Sequence, residues 1–112
     1  MKDGKAELLQ GTLDMMVLKA LNVAKMHGFG IARWIERTTE DRLVIEEGAL
    51  YPALYRIKRR KWVSSEWGVS ENNRKAKYYH LTDLGREELA RQTLSWNDSA
   101  AAVRSVLNVA NS

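Results

Sequence analysis

The sequence predicts a mainly α fold with one small β-hairpin, and three patterns predict it. Apolar residues recur at spacings of three and four through the first half of the chain, as amphipathic helices require. Two short runs rich in aromatic and β-branched residues flank a polar stretch with glycine and two asparagines, and a narrow seven-residue apolar repeat runs toward the C-terminus. At 112 residues the chain is one domain's worth of sequence, too small a core for catalytic machinery spread over two domains.

The first helix follows from Leu13, Met16, Val17, Ala20, Leu21 and Ala24 on one stripe; it is expected to stop at His27-Gly28, where glycine can take a left-handed end conformation. A short second helix over residues 30–37 has Ile31, Trp34 and Ile35 as its apolar side, and the polar residues 38–42 form a turn. Leu43-Val44-Ile45 is too brief to assign by period and is read as a small strand or extended lead-in. The third helix begins near residues 46–48 and buries Leu50, Ala53, Leu54 and Ile57. Pro52 falls within its first turns, where a missing N–H costs least. Acids at its start and Lys58, Arg59, Arg60 and Lys61 at its end suit the helix dipole.

Residues 62–67 and 76–81 are the two strands of the hairpin, joined by a long basic tip. Thr82 caps a final helix, although Gly85 stands where a capping box would place an acid. On that helix Leu89, Trp96, Val103 and Ala110 recur every seven residues, with Thr93, Ala100 and Leu107 between them, a stripe that wants a partner helix. The expectation is a homodimer joined through Leu89, Trp96, Ala100, Val103 and Leu107, with residues 1–81 as one unit and residues 82–112 as the dimerisation helix.

The formal net charge is +4, but it is unevenly placed. Residues 53–80 carry eight bases against two acids, a local +6 that leaves the remainder at −2, as expected of a surface that meets a polyanion. The absence of cysteine excludes disulfides, thiolate zinc sites and cysteine nucleophiles. The opening residues mix acids with bases, and no long apolar run follows them, so neither a secretory signal nor a membrane span is supported. A cytoplasmic location is the expectation.

The order helix, helix, turn, basic helix, hairpin, long helix is that of a winged helix-turn-helix, whose third helix enters the major groove of double-stranded DNA. With Leu50, Leu54 and Ile57 buried, Tyr51 and Tyr55 lie a turn apart on the outward side near Ala49, Pro52, Arg56 and Arg59. Ala49, Tyr51, Pro52 and Arg56 are expected nearest the bases, and Lys58 and Arg59 on phosphates. At the wing, Arg74 and Lys75 are expected on the backbone or in the minor groove.

Three motifs then bring a family into view. Leu9-Gln10-Gly11-Thr12-Leu13-Asp14 with His27-Gly28-Phe29-Gly30-Ile31-Ala32 resembles the opening of the PadR-like transcriptional regulators. The run Glu47-Gly48-Ala49-Leu50-Tyr51-Pro52-Ala53-Leu54-Tyr55-Arg56-Ile57 resembles their recognition helix, and Tyr78-Tyr79-His80-Leu81-Thr82-Asp83-Leu84-Gly85 resembles the junction after their wing. The resemblance spans residues 8–90 and implies a DNA-binding homodimer of the short subfamily with a single C-terminal helix. It also implies a repressor relieved by a small molecule. Ala49 replaces a frequent threonine, Lys58 stands where an acid is common, and Trp62 where the comparison places a glycine before the wing. In some drug-responsive short relatives, aromatic side chains near the position of Trp96 stack on planar ligands, which makes Trp96 a candidate effector site as well as a seam residue.

No cofactor and no metal site is expected. Only His27 and His80 are available as histidines, there is no acidic metal pattern and no glycine-rich phosphate loop, so catalysis is not expected either. The rival reading is a ligand-sequestering or protein-interaction module whose basic segment is only a solvated face. Double-stranded RNA is disfavoured because its narrow major groove does not admit a helix.

Overall fold

The computed structural model describes residues 10–111, so the N-terminal segment examined above for targeting signals, including Leu9 of the first motif, lies outside the described residues. The elements are α1 (Gln10–Val23), β1 (Met26–His27), α2 (Gly28–Thr38), α3 (Glu47–Arg59), β2 (Val63–Val69), β3 (Lys75–Leu81) and α4 (Asp83–Leu107). Helices α1, α2 and α3 surround one core built from Leu13, Val17, Leu18, Leu21, Ile31, Ile35, Leu50, Leu54 and Ile57, closed below by Val63, Tyr79 and Leu81 of the hairpin. The stripe read from the sequence is therefore the core, except that Leu18 joins it and Ala24 lies exposed beyond the end of α1.

Gly28 does not terminate the first helix as expected; it is the first residue of α2. His27 supplies the reason, because its Nδ1 accepts the Gly30 N–H at 3.0 Å and so caps α2. The same residue pairs with Tyr78 in an antiparallel bridge, as Met26 does with Tyr79, which adds a third strand in the order β1-β3-β2. After α2 the chain turns through Glu40 and Asp41, both with positive φ, and Leu43-Val44-Ile45 is an extended lead-in, not a strand. Glu36 Oε2 accepts the Ile45 N–H at 3.0 Å, which pins the lead-in and seats Ile45 in the core.

Pro52 falls within the first turns of α3 as expected, but in the second, so the helix lacks the bond its N–H would have given to the Gly48 carbonyl. Both residues are exposed, where water can serve that carbonyl. The helix ends in a Schellman motif: Lys61 is left-handed (φ 66°) and donates to Lys58 O, while Trp62 donates to Ile57 O. The position that would welcome glycine is thus Lys61, one residue before Trp62, the position at which the resemblance implies it.

The hairpin strands run further toward the tip than expected, β2 by two residues and β3 by one, from Val63↔Leu81 to Val69↔Lys75. Residues 70–74 close it through Ser70 N–H to Arg74 O and Asn73 N–H to Ser70 O, each 2.8 Å, with Asn73 left-handed. Thr82 caps α4 as expected, accepting the Gly85 N–H at 3.0 Å. The missing acid of the capping box has a steric cause: a Cβ at Gly85 would stand 2.0 Å from the Trp62 carbonyl oxygen. The first turns of α4 pack on α1 and β3, and the rest projects from the body; the whole helix is about 37 Å long in a molecule of 61 Å.

Candidate nucleic-acid interface

At about 100° per residue, α3 with Leu50, Ala53, Leu54 and Ile57 buried must present Pro52, Tyr55 and Arg59 outward, Tyr51 and Lys58 on one flank, and Ala49, Arg56 and Arg60 on the other. Tyr51, Pro52, Tyr55, Lys58, Arg59 and Ala49 are all exposed. The Arg59 guanidinium lies over the Tyr55 ring at 5.8 Å, a cation–π contact that keeps the charge on the outward face. The Tyr51 hydroxyl leans on α2, so close that a Cβ at Gly28 would lie 2.7 Å from it.

Tyr51 also borders a cleft of about 780 Å³ between the starts of α2 and α3 and the wing. Phe29, Trp67, Arg74, Lys75 and Lys77 border it with Tyr51, so the expected wing residues Arg74 and Lys75 share a surface with the outward helix. Burial, with the neighbouring Tyr51, raises the pKa of the Tyr79 hydroxyl at the cleft floor and keeps it neutral. Near the tip the acid is Glu71, whose carboxylate reaches His27 Nε2 at 3.9 Å from an almost fully solvated side chain.

Arg56 corrects the sequence reading. Its guanidinium turns away from the cleft and grips Asp14 of α1 with two bonds, Nη2 to Oδ1 at 2.7 Å and Nε to Oδ2 at 3.2 Å. The fork that would read a guanine is filled by a carboxylate, and the hydrogen bonds to Asp14 hold the guanidinium still more firmly in its charged form. Beside this pair Glu88 of α4 accepts from Arg91 and Gln92, and Arg56, Arg60, Trp62 and Gln92 line a common hollow of about 340 Å³.

On α4, Leu89 departs from the expected seam, since it is buried in the core of its own domain. Ala100 is half-buried, while Trp96, Val103 and Leu107 are exposed, as are Leu94 and Val106. Trp96 borders a shallow hollow with Gly11, Thr12 and Met15 of α1. Sequence reasoning missed Trp67, Lys77 and Phe29 at the cleft; for Trp67 and Lys77 the signal was their place on facing strands, which was read only as strand propensity.

Among the described residues no group of three His, Asp or Glu could hold a metal ion, and no helix is long and apolar enough to cross a membrane. Residues 17–91 match the family described as the transcriptional regulator PadR-like family. A PadR-like transcriptional regulator of Bacillus cereus is 26% identical, with a TM-score of 0.78 over 94% of this chain and 100% of that one. A PadR family transcriptional regulator of Eggerthella lenta is 27% identical, with a TM-score of 0.77 over 90% and 86%. An uncharacterised protein of Lysinibacillus sphaericus is 25% identical over 92 residues, 82% of this chain and 84% of the relative. The family and the solved neighbours are transcriptional regulators, not enzymes. A helix with its tyrosines outward beside a basic hairpin, on a match that covers most of the chain, has one consequence: the chain belongs to the PadR-like family of DNA-binding transcriptional regulators.

Proposed function

We infer that this regulator is a cytoplasmic homodimeric repressor. The exposed face of α3 (Tyr51, Pro52, Tyr55 and Arg59, with Ala49 at its edge) enters the major groove, and Lys58 takes a phosphate beside it. The wing meets the adjoining backbone or minor groove through Arg74 and Lys75. The observation that carries this reading is the convergence of the exposed Tyr51 and three wing cations on one cleft, with no carboxylate paired to any of those cations among the described residues. Residues 82–112 join the two copies through Trp96, Ala100, Val103 and Leu107, an apolar stripe exposed at all but Ala100 on a helix that outruns its own core. A small planar effector stacks against Trp96 at that seam and relieves repression.

Footprinting on the DNA upstream of the chain's own gene, with sedimentation of the free and bound protein, tests the reading. Expected are two protected half-sites one helical turn or a multiple apart and a complex of two chains. Binding that is no tighter to that DNA than to random duplex would favour an interaction module instead.

A further inference from the structure

Trp67 stands where a tryptophan is seldom left, 62% exposed on the hairpin. In the strand alternation Val63, Ser65, Trp67 and Val69 share a face with Lys75, Lys77, Tyr79 and Leu81, Trp67 opposite Lys77 and Val69 opposite Lys75. Toward the body this face enters the core through Val63, Tyr79 and Leu81; toward the tip it emerges into the cleft beside Tyr51. There the Lys75 and Lys77 ammonium groups lie 5.1 and 5.2 Å from the centroid of the one Trp67 ring. Two cations held against the same indole repel each other, and neither has a carboxylate partner among the described residues.

A surface of this kind is complete only with anions. A cation–π contact at an exposed site is weak, but it biases a flexible lysine toward the ring and places its charge in advance. The result is a charge, an apolar plate with an N–H edge, and a second charge. A nucleic-acid strand offers the matching order, phosphate, sugar, phosphate. Lysine is a point charge without a directional fork, so such a surface grips backbone and leaves sequence to α3.

We propose that Lys75, Trp67 and Lys77 form a backbone clamp on duplex DNA, the indole lying against a deoxyribose and each ammonium taking one of the flanking phosphates. This deepens the reading of the wing given above and rests on it. The clamp makes the wing's grip depend on an uncharged residue, Trp67, as much as on its cations.

The test uses the full chain and a duplex that the wild type is seen to bind. Trp67→Ala is expected to lower affinity about tenfold for specific and random duplex alike, with sequence preference and melting temperature unchanged. Lys75→Ala with Lys77→Ala is expected to make the salt dependence shallower by nearly two, the release expected of two phosphates. On saturation with duplex, the change in Trp emission is expected to be kept in Trp96→Phe and largely lost in Trp67→Phe. Wild-type affinity in Trp67→Ala, or an unaltered salt slope in the double variant, would overturn the clamp and leave the wider DNA-binding reading standing. A wild type that binds no duplex would remove both. A loss in Trp67→Ala greater for single strands than for duplex would overturn it in favour of stacking on unpaired bases.

Discussion

The two flanks of α3 treat their cations in opposite ways. On the flank toward α1 and α4, Arg56 is bonded twice to Asp14, and Glu88 sits among Arg91, Gln92 and Arg60. On the flank toward the wing, Tyr51, Lys58, Trp67 and Lys75 are exposed and Lys77 is half-buried, and among the described residues no acid is bonded to them. The difference teaches that one recognition-helix motif does two jobs. Its Tyr51 stands exposed at the cleft beside the wing, while its Arg56 is bonded to Asp14 of α1. Charge density along the sequence does not reveal which cations the fold pairs with acids and which it leaves without one.

The same contrast divides two glycines, and it sets the largest expected effect. At Gly85, beside the closed flank, a new Cβ would meet the Trp62 backbone carbonyl at 2.0 Å, and backbone cannot swing aside. Gly85→Ala is expected to cost about 3 kcal/mol, roughly 10 °C in Tm by thermal denaturation. At Gly28, on the open flank, the new Cβ would meet the end of the Tyr51 side chain, which is 47% exposed and can rotate away. Gly28→Ala is expected to stay within about 0.5 kcal/mol of the wild type and to lose duplex affinity by displacing Tyr51. Equal losses of Tm in the two variants would erase the distinction.

A smaller effect is expected at Asp14. Asp14→Asn removes the charge that holds Arg56 while leaving the side chain's size, and is expected to cost about 1–2 kcal/mol in a half-buried, doubly bonded pair. Arg56→Lys is expected to cost nearly as much, because one ammonium cannot replace two parallel N–H bonds. A double-mutant cycle in denaturant measures the coupling. If Asp14→Asn were neutral while Arg56→Ala abolished discrimination between base pairs, Arg56 would belong in the groove after all.

Most of the fold was legible because it is written in local period. Leu50, Leu54 and Ile57 on α3 and Ile31 and Ile35 on α2 are buried as their spacing requires, and Thr82 caps α4. What escaped depends on partners distant in sequence. Met26–His27 forms a strand because β3 lies beside it, and two residues have no period to read. The absence of an acid at Gly85 was visible, but its cause, the Trp62 carbonyl, is tertiary. Helical period sets Arg56 beside the outward tyrosines with a fork suited to guanine, and the Asp14 that fills that fork lies 42 residues away. Leu89 fits the seven-residue repeat, but the core of its own domain claims it first. For the candidate site the residue types were legible and the flanks were not. Periodicity places Arg56 on an edge of the helix, and only the neighbouring elements decide whether that edge is covered.

The smallest expected effect concerns acid. Hydrogen bonding from Arg91 chiefly, helped by Gln92 and by the charges of Arg91 and Arg60, holds the Glu88 carboxyl below the ordinary glutamate range against the opposing effect of burial. A carboxylate whose folded pKa is depressed binds fewer protons folded than unfolded, so its stabilisation is whole above the unfolded value of about 4.3 and is lost as pH falls through the lower folded value. Arg91 is solvated, so water screens the pair and the effect is small. Denaturant titrations of the wild type and Glu88→Gln should therefore diverge at neutral pH and draw together below about pH 4. On the open flank Glu71 reaches His27 and Glu66 bonds Lys25, and among the described residues no acid is bonded to Lys75 or Lys77, so Lys75→Ala and Lys77→Ala should follow the wild-type pH dependence throughout. A lysine variant that altered the acid limb as Glu88→Gln does would mean that the wing's cations are paired too, and the asymmetry between the flanks would be lost.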